Sequence, residues 1–96
     1  MNSATTKQFW KCFDALPVNV QRLAAEAFGR WKADPGHPGL HFKPVKGLKD
    51  VHSVRIGGGW RAIGRRKGAI GRRKGGTIYW IWIGSHADYD RLIARS

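Results

Sequence analysis

The chain has 96 residues, 42% of them hydrophobic, with five Trp, four Phe and two Tyr, and a formal net charge of +12. One modest core fits that length, the aromatics exclude a disordered polar chain, and so large a charge calls for a polyanionic partner to offset its self-repulsion. Nucleic acid or the ribosome is the first such partner, and an acidic protein the second. Cys12 stands alone, which excludes an internal disulfide and suggests no metal cluster. The longest apolar run, 78–83, is too short to span a bilayer, and the start of the chain has no apolar signal core. One domain over 1–96, placed in the cytoplasm, is the expectation.

Residues 1–4 read as a loose end. Thr5, with Gln8 three positions on, fits a capping box. The helix it opens carries an apolar stripe of Phe9, Trp10, Cys12, Phe13 and Leu16. Pro17 closes that helix, and its fixed φ suits the first turn of a second. Val20, Leu23, Ala24, Ala27, Phe28 and Trp31 then follow helical spacing until the Pro- and Gly-rich stretch 34–39 stops it. The two helices form an antiparallel hairpin. Residues 40–43 alternate like a short strand cut off by Pro44, and 45–50 form a basic loop. In 51–56, Val54 and Ile56 share one strand face while Ser53 and Arg55 share the other. Gly57, Gly58 and Gly59 make a turn, and Trp60 starts the return strand. Residues 77–83 are apolar at almost every position, as in a central strand covered on both faces. A short helix over 87–94, anchored by Tyr89, Leu92 and Ile93, ends the chain.

Residues 62–68 and 69–75 are identical tandem heptads, AIGRRKG twice. A lone duplication of this period is no solenoid signature. It adds Arg72, Arg73 and Lys74, so part of the charge is incidental to any site. A slip of seven, an odd number, would flip every strand side chain. The extra residues are therefore expected to lengthen an exposed connection, with a basic ribbon or a domain-swapped homodimer as the other outcomes.

Taken together, LPVNVQRLAAEAF, DPGHPGLHFKPVKG, SVRIGGGWRAIG and IWIGSHADYD resemble the RelE/ParE superfamily of toxins from bacterial type II toxin–antitoxin systems. The likeness runs from Phe9 to Ile93, and its most specific part is Arg55-Ile56-Gly57 followed by Trp60-Arg61. It implies an α+β fold: a helical hairpin packed on a small twisted antiparallel sheet, with a short C-terminal helix. Most members begin with a strand, which residues 1–4 look too short to supply, and the duplicated heptad is foreign to the pattern. The resemblance also implies an acidic antitoxin as partner and no cofactor. Its RelE-like branch cleaves mRNA in the ribosomal A site; its ParE-like branch inhibits DNA gyrase without catalysis. An inactive member that only binds RNA or an antitoxin is a third reading.

Cleavage of RNA by its own 2′-hydroxyl needs a base, cations for the phosphorane charge and an acid for the leaving oxygen, and it needs no metal. Arg55 and Arg61 match the family arginines, and arginine suits bidentate phosphate binding; solvated strand charges or antitoxin contacts are the plainer account. His86 resembles the histidine that the YafQ-like branch places after its last strand, and histidine exchanges protons at neutral pH; the plainer account is a residue capping the last helix. Tyr89 resembles the C-terminal aromatic of RelE-like enzymes, with a core anchor as the alternative. Lys43 and Lys46 stand where RelE-like members carry lysines, or in a merely basic loop. Trp80 and Trp82 share one strand face by alternation, and Ile81 and Ile83 the other, so the tryptophans could offer bases a stacking surface or simply pack in the core. His41 and His52 are weaker candidates and His37, beside Pro38, weaker still. The sequence has no Walker loop, zinc spacing or Ser/His/Asp arrangement, and the three glycines make a turn rather than a phosphate loop.

These features favour a ribosome-dependent mRNA endoribonuclease, with the gyrase inhibitor next.

Overall fold

A computed structural model describes residues 2–67 and 76–94. Its elements are β1 (Asn2–Thr5), α1 (Lys7–Asp14), α2 (Val18–Ala33), a 3-10 turn at Pro38–Leu40, β2 (Lys43–Pro44), β3 (Val51–Ile56), β4 (Trp60–Lys67), β5 (Thr77–Ser85) and α3 (His86–Ala94). The strands form one five-stranded sheet in the order β1-β5-β4-β3-β2. The α+β expectation holds, with a helical hairpin on one face of the sheet and α3 on the other.

Three local expectations are corrected. Residues 2–5 are a strand rather than a loose end, and β1 runs parallel to β5, so the sheet is mixed rather than antiparallel. Four residues suffice because the edge of β5 supplies the pairing. The cap of α1 is Thr6, not Thr5. Its Oγ1 accepts from Phe9 N (3.1 Å) and donates to Trp80 O (3.1 Å), tying the helix start to β5. Gln8 reaches Cys12 Sγ instead of closing a capping box, and Thr5 Oγ1 accepts from Trp10 Nε1. Finally, Leu40 belongs to the 3-10 turn, and the strand before the basic loop is only Lys43–Pro44.

Helical spacing brings Phe9, Leu16, Val20, Ala24, Ala27 and Trp31 of the hairpin onto Val54, Ile56, Ala62, Ile78, Trp80 and Ile83 of the sheet. Each large side chain so buried contributes roughly 1.5–3 kcal/mol. On the opposite face Val45, Val51 and Ile63 pack with Leu48, Ile81, Trp82, Tyr89 and Ile93, so α3 is held by a smaller cluster.

A β-bulge separates the two tryptophans. Ile63 pairs with Trp82 but Gly64 pairs with Trp80, which leaves Ile81 as the extra residue. The expected shared face is therefore wrong. Trp80 is 3% exposed and meets the rings of Phe28 (4.9 Å) and Trp31 (5.4 Å), whereas Trp82 lies on the α3 face, 6.4 Å from the Tyr89 ring. Gly64 permits this: a Cβ there would stand 2.4 Å from Ile78 Cγ2 and 2.9 Å from the Trp80 ring.

The first heptad runs through β4 to Lys67, which pairs with Thr77. The second copy, with Arg72, Arg73 and Lys74, lies outside the described residues, as do the expectations about a lengthened connection, a ribbon or a swapped dimer. Among the described residues no helix is long and apolar enough to cross a membrane.

Candidate functional site

Strand alternation puts a row of cations on the α3 face. Directly opposed residues of paired strands point the same way. Lys43 opposes Ser53, Arg55 opposes Arg61, and Arg65 opposes both Val51 and Tyr79. Lys67 follows two residues after Arg65, with its Nζ 5.7 Å from the Tyr79 ring centroid. Arg66 points to the other face, opposite Ile78.

At the centre of this face, Arg61 is only 8% exposed. Its Nη2 donates to Ser53 Oγ (2.8 Å), and its guanidinium carbon lies 5.0 Å from the centroid of the Tyr89 ring. Its Nε is buried without a hydrogen-bond partner, and among the described residues no carboxylate forms an ion pair with it. A buried cation without a counter-charge costs several kcal/mol. A desolvated cation–π contact returns about 2 kcal/mol or more. Among the described residues, the Arg61 guanidinium is met by this hydroxyl and this ring face and by no carboxylate.

Arg55 and Arg61 oppose each other in register, yet their side chains lean apart. Arg61 reaches back to Ser53, two residues before Arg55, while Arg55 Nε donates to Gly57 O (2.9 Å), two residues after it. The splay relieves like-charge repulsion and spreads the donors along the strand direction.

His86 is the first residue of α3, beside the β3–β4 turn: its N donates to Gly59 O (2.8 Å). Its Nδ1 lies 3.3 Å from Asp90 Oδ2, one helical turn on, which leaves Nε2 as the nitrogen open to a ligand. The side chain is 52% exposed. Its ring meets Tyr89 edge-on at 6.0 Å, so Tyr89 touches His86, Arg61 and Trp82 together. Ser85 Oγ accepts from Asp88 N and caps the helix that presents them. Beside this cluster, a groove of about 570 Å³ runs between α1 and α3, lined by Cys12, Leu16, Trp60, Trp82 and Arg91.

The sequence candidates thus separate. Arg61, Tyr89, His86 and Trp82 come together, with Arg55 beside them. Lys43 shares their face from the edge strand, exposed, while His41 (φ 47°) and Lys46 lie exposed near that edge with no described contact to Arg61. Trp80 is core. His52 faces the helical hairpin and stacks on Phe42 at 5.1 Å. Burial pushes its pKa below the usual 6.5, as does the Arg66 charge, against a backbone hydrogen bond and charge from Asp50. His37 Nδ1 accepts from Gly39 N in the 3-10 turn. Sequence reasoning passed over Ser53 and Asp90. The signals were there: a small polar residue two before Arg55, and a carboxylate four after His86. Among the described residues no group of three or more His, Cys, Asp or Glu could hold a metal ion.

No family model matches the chain, and no curated protein matches it. Solved structures do. A YoeB/ParE toxin from Agrobacterium tumefaciens is 18% identical, covering 90% of this chain and 99% of that one, with a TM-score of 0.65. A chain of the RelB-RelE antitoxin-toxin complex from Methanococcus jannaschii is 13% identical over 93% of this chain and 96% of its own, at 0.68. The isolated E. coli RelE toxin is 13% identical over 98% and 96%, at 0.61. At such identities the likeness is one of fold: this chain has the fold of the RelE/ParE toxins.

Proposed function

We propose that the chain is a toxin of the RelE/ParE type that cleaves mRNA on the ribosome and is held inactive by an acidic antitoxin. The observation that carries this reading is Arg61, a buried guanidinium without a counter-ion, set between Ser53 and Tyr89 on a face of exposed cations. A phosphodiester supplies the missing charge, and arginine binds it bidentately. In the reaction the 2′-oxygen attacks the adjacent phosphorus as its proton passes to solvent. Arg61 and Arg55 stabilise the charge that gathers on the phosphoryl oxygens. The P–O5′ bond breaks as His86 Nε2 protonates the leaving oxygen, giving a 2′,3′-cyclic phosphate and a free 5′-hydroxyl. Asp90, beside Nδ1, fixes the orientation of the imidazole. Trp82 offers part of a ring face to a base, and Lys43, Lys46 and His41 track the RNA backbone at the sheet edge. Trp80, buried, has no part.

The test is expression in growing cells of the wild type and of His86→Ala. The wild type should arrest growth with cleaved transcripts, and His86→Ala should lower cleavage by about 10²–10⁴-fold. Arrest by both forms with intact mRNA and damaged DNA would replace this reading with gyrase inhibition.

A further inference from the structure

We propose that Ser53 is a positioning residue, whose hydroxyl fixes the guanidinium of Arg61 in the plane that receives phosphate. The proposal rests on the reading that Arg61 holds the scissile phosphodiester. Ser53 is 0% exposed, in register between Lys43 and Ile63, near the apolar cluster of Val45, Val51 and Ile63. Apolar side chains would suit such a strand position better, because a buried hydroxyl is costly unless it is hydrogen-bonded. Here the described bond is the one it accepts from Arg61 Nη2, at 2.8 Å.

The geometry shows what that bond does. Arg61 directly opposes Arg55, and the reach to Ser53 draws its guanidinium two residues along the neighbouring strand, away from the other cation. Tyr89 limits the guanidinium from one side only, since a ring face restrains position but not rotation about the stacking axis. Ser53 supplies the in-plane restraint. With Nη2 tied to Ser53 and Nε buried, the remaining Nη hydrogens are the donors left for phosphoryl oxygens. Holding a reacting group in advance is worth large rate factors.

The experiment combines nitrogen NMR of the Arg61 side chain in the full chain with cleavage of mRNA on programmed ribosomes, using Ser53→Ala, Arg61→Ala and the double variant. The wild type should show resolved, slowly rotating Nη–H signals for Arg61, and Ser53→Ala should collapse them. Ser53→Ala should also slow cleavage at saturating enzyme by about 10- to 100-fold, as for loss of a hydrogen bond to a charged group. In the Arg61→Ala background the same change should cost nothing further, because its effect runs through Arg61. Unchanged Nη signals, or an equal additional loss in the Arg61→Ala background, would overturn the proposal. If Ser53→Ala collapses the signals while even the wild type cleaves no mRNA, the positioning role stands and the nuclease reading fails.

Discussion

At the scale of single residues, Arg61 and His52 show two ways of burying a basic group. Arg61 is held by its surroundings: the Ser53 hydroxyl and the Tyr89 face. If the ring face is what matters, Tyr89→Phe should keep most of the cleavage activity. Tyr89→Leu should lose about 5- to 30-fold, the equivalent of about 1–2 kcal/mol. Equal losses in single-turnover rates would shift the role to the phenol oxygen. His52, on the other face, sheds its proton. Burial and then Arg66 lower its pKa from 6.5, with Asp50 opposing. The unfolded chain therefore takes up a proton near pH 6.5 that the folded chain refuses until lower pH. Folding stability is complete above pH 6.5 and falls as the pH drops through the lowered value. Urea titrations between about pH 5 and pH 7 should show that fall in the wild type and a flatter profile in His52→Phe, which can still stack on Phe42. Parallel profiles would mean that another group carries the pH dependence.

At the scale of elements, the bulge in β5 decides which tryptophan lies on the α3 face. Gly64→Ala would drive a Cβ into Ile78 and the Trp80 ring, and overpacking of this kind costs roughly 1–3 kcal/mol. The urea midpoint should fall accordingly; a change below about 0.5 kcal/mol, within the range of an ordinary surface substitution, would mean that the bulge relaxes freely. The same element marks where the sequence stops being legible. The helices could be read because Val20, Ala24, Ala27 and Trp31 repeat at the helical period, and β3 because Ser53 and Arg55 alternate with Val54 and Ile56. In β5 the stretch around the bulge, residues 80–83, is apolar throughout, so an extra residue at Ile81 leaves no mark, and Gly64 on the neighbouring strand is its trace. Residues 2–5 carry no pattern because their strand exists through an edge more than seventy positions away. His86 and Tyr89 were legible as candidates through the resemblance, each on its own. Their meeting with Arg61 depends on how α3 folds back over the sheet, which no local spacing encodes.

At the scale of the whole molecule, the net charge of +12 matters less than its placement. Alternation gathers Lys43, Arg55, Arg61, Arg65 and Lys67 on the α3 face. If RNA binds there, each phosphate contact contributes about 0.7 to the slope of log affinity against log salt. Arg65→Ala should reduce that slope by about 0.7 for a short single-stranded RNA, while Lys32→Ala, exposed on α2, should leave it alone. Equal reductions would describe a diffuse cation rather than a site. The same face suits an acidic antitoxin, which would compete with RNA for it. The most direct measurement is single-turnover cleavage of mRNA on programmed ribosomes, followed by primer extension, with wild type, Arg61→Lys and Arg61→Ala. Wild type should leave discrete breaks. Arg61→Lys, which keeps charge but loses the planar fork, should be slowed nearly as much as Arg61→Ala, by about 10²–10³-fold, the loss typical of a transition-state charge stabiliser. Cleavage by Arg61→Ala at the wild-type rate would contradict the account.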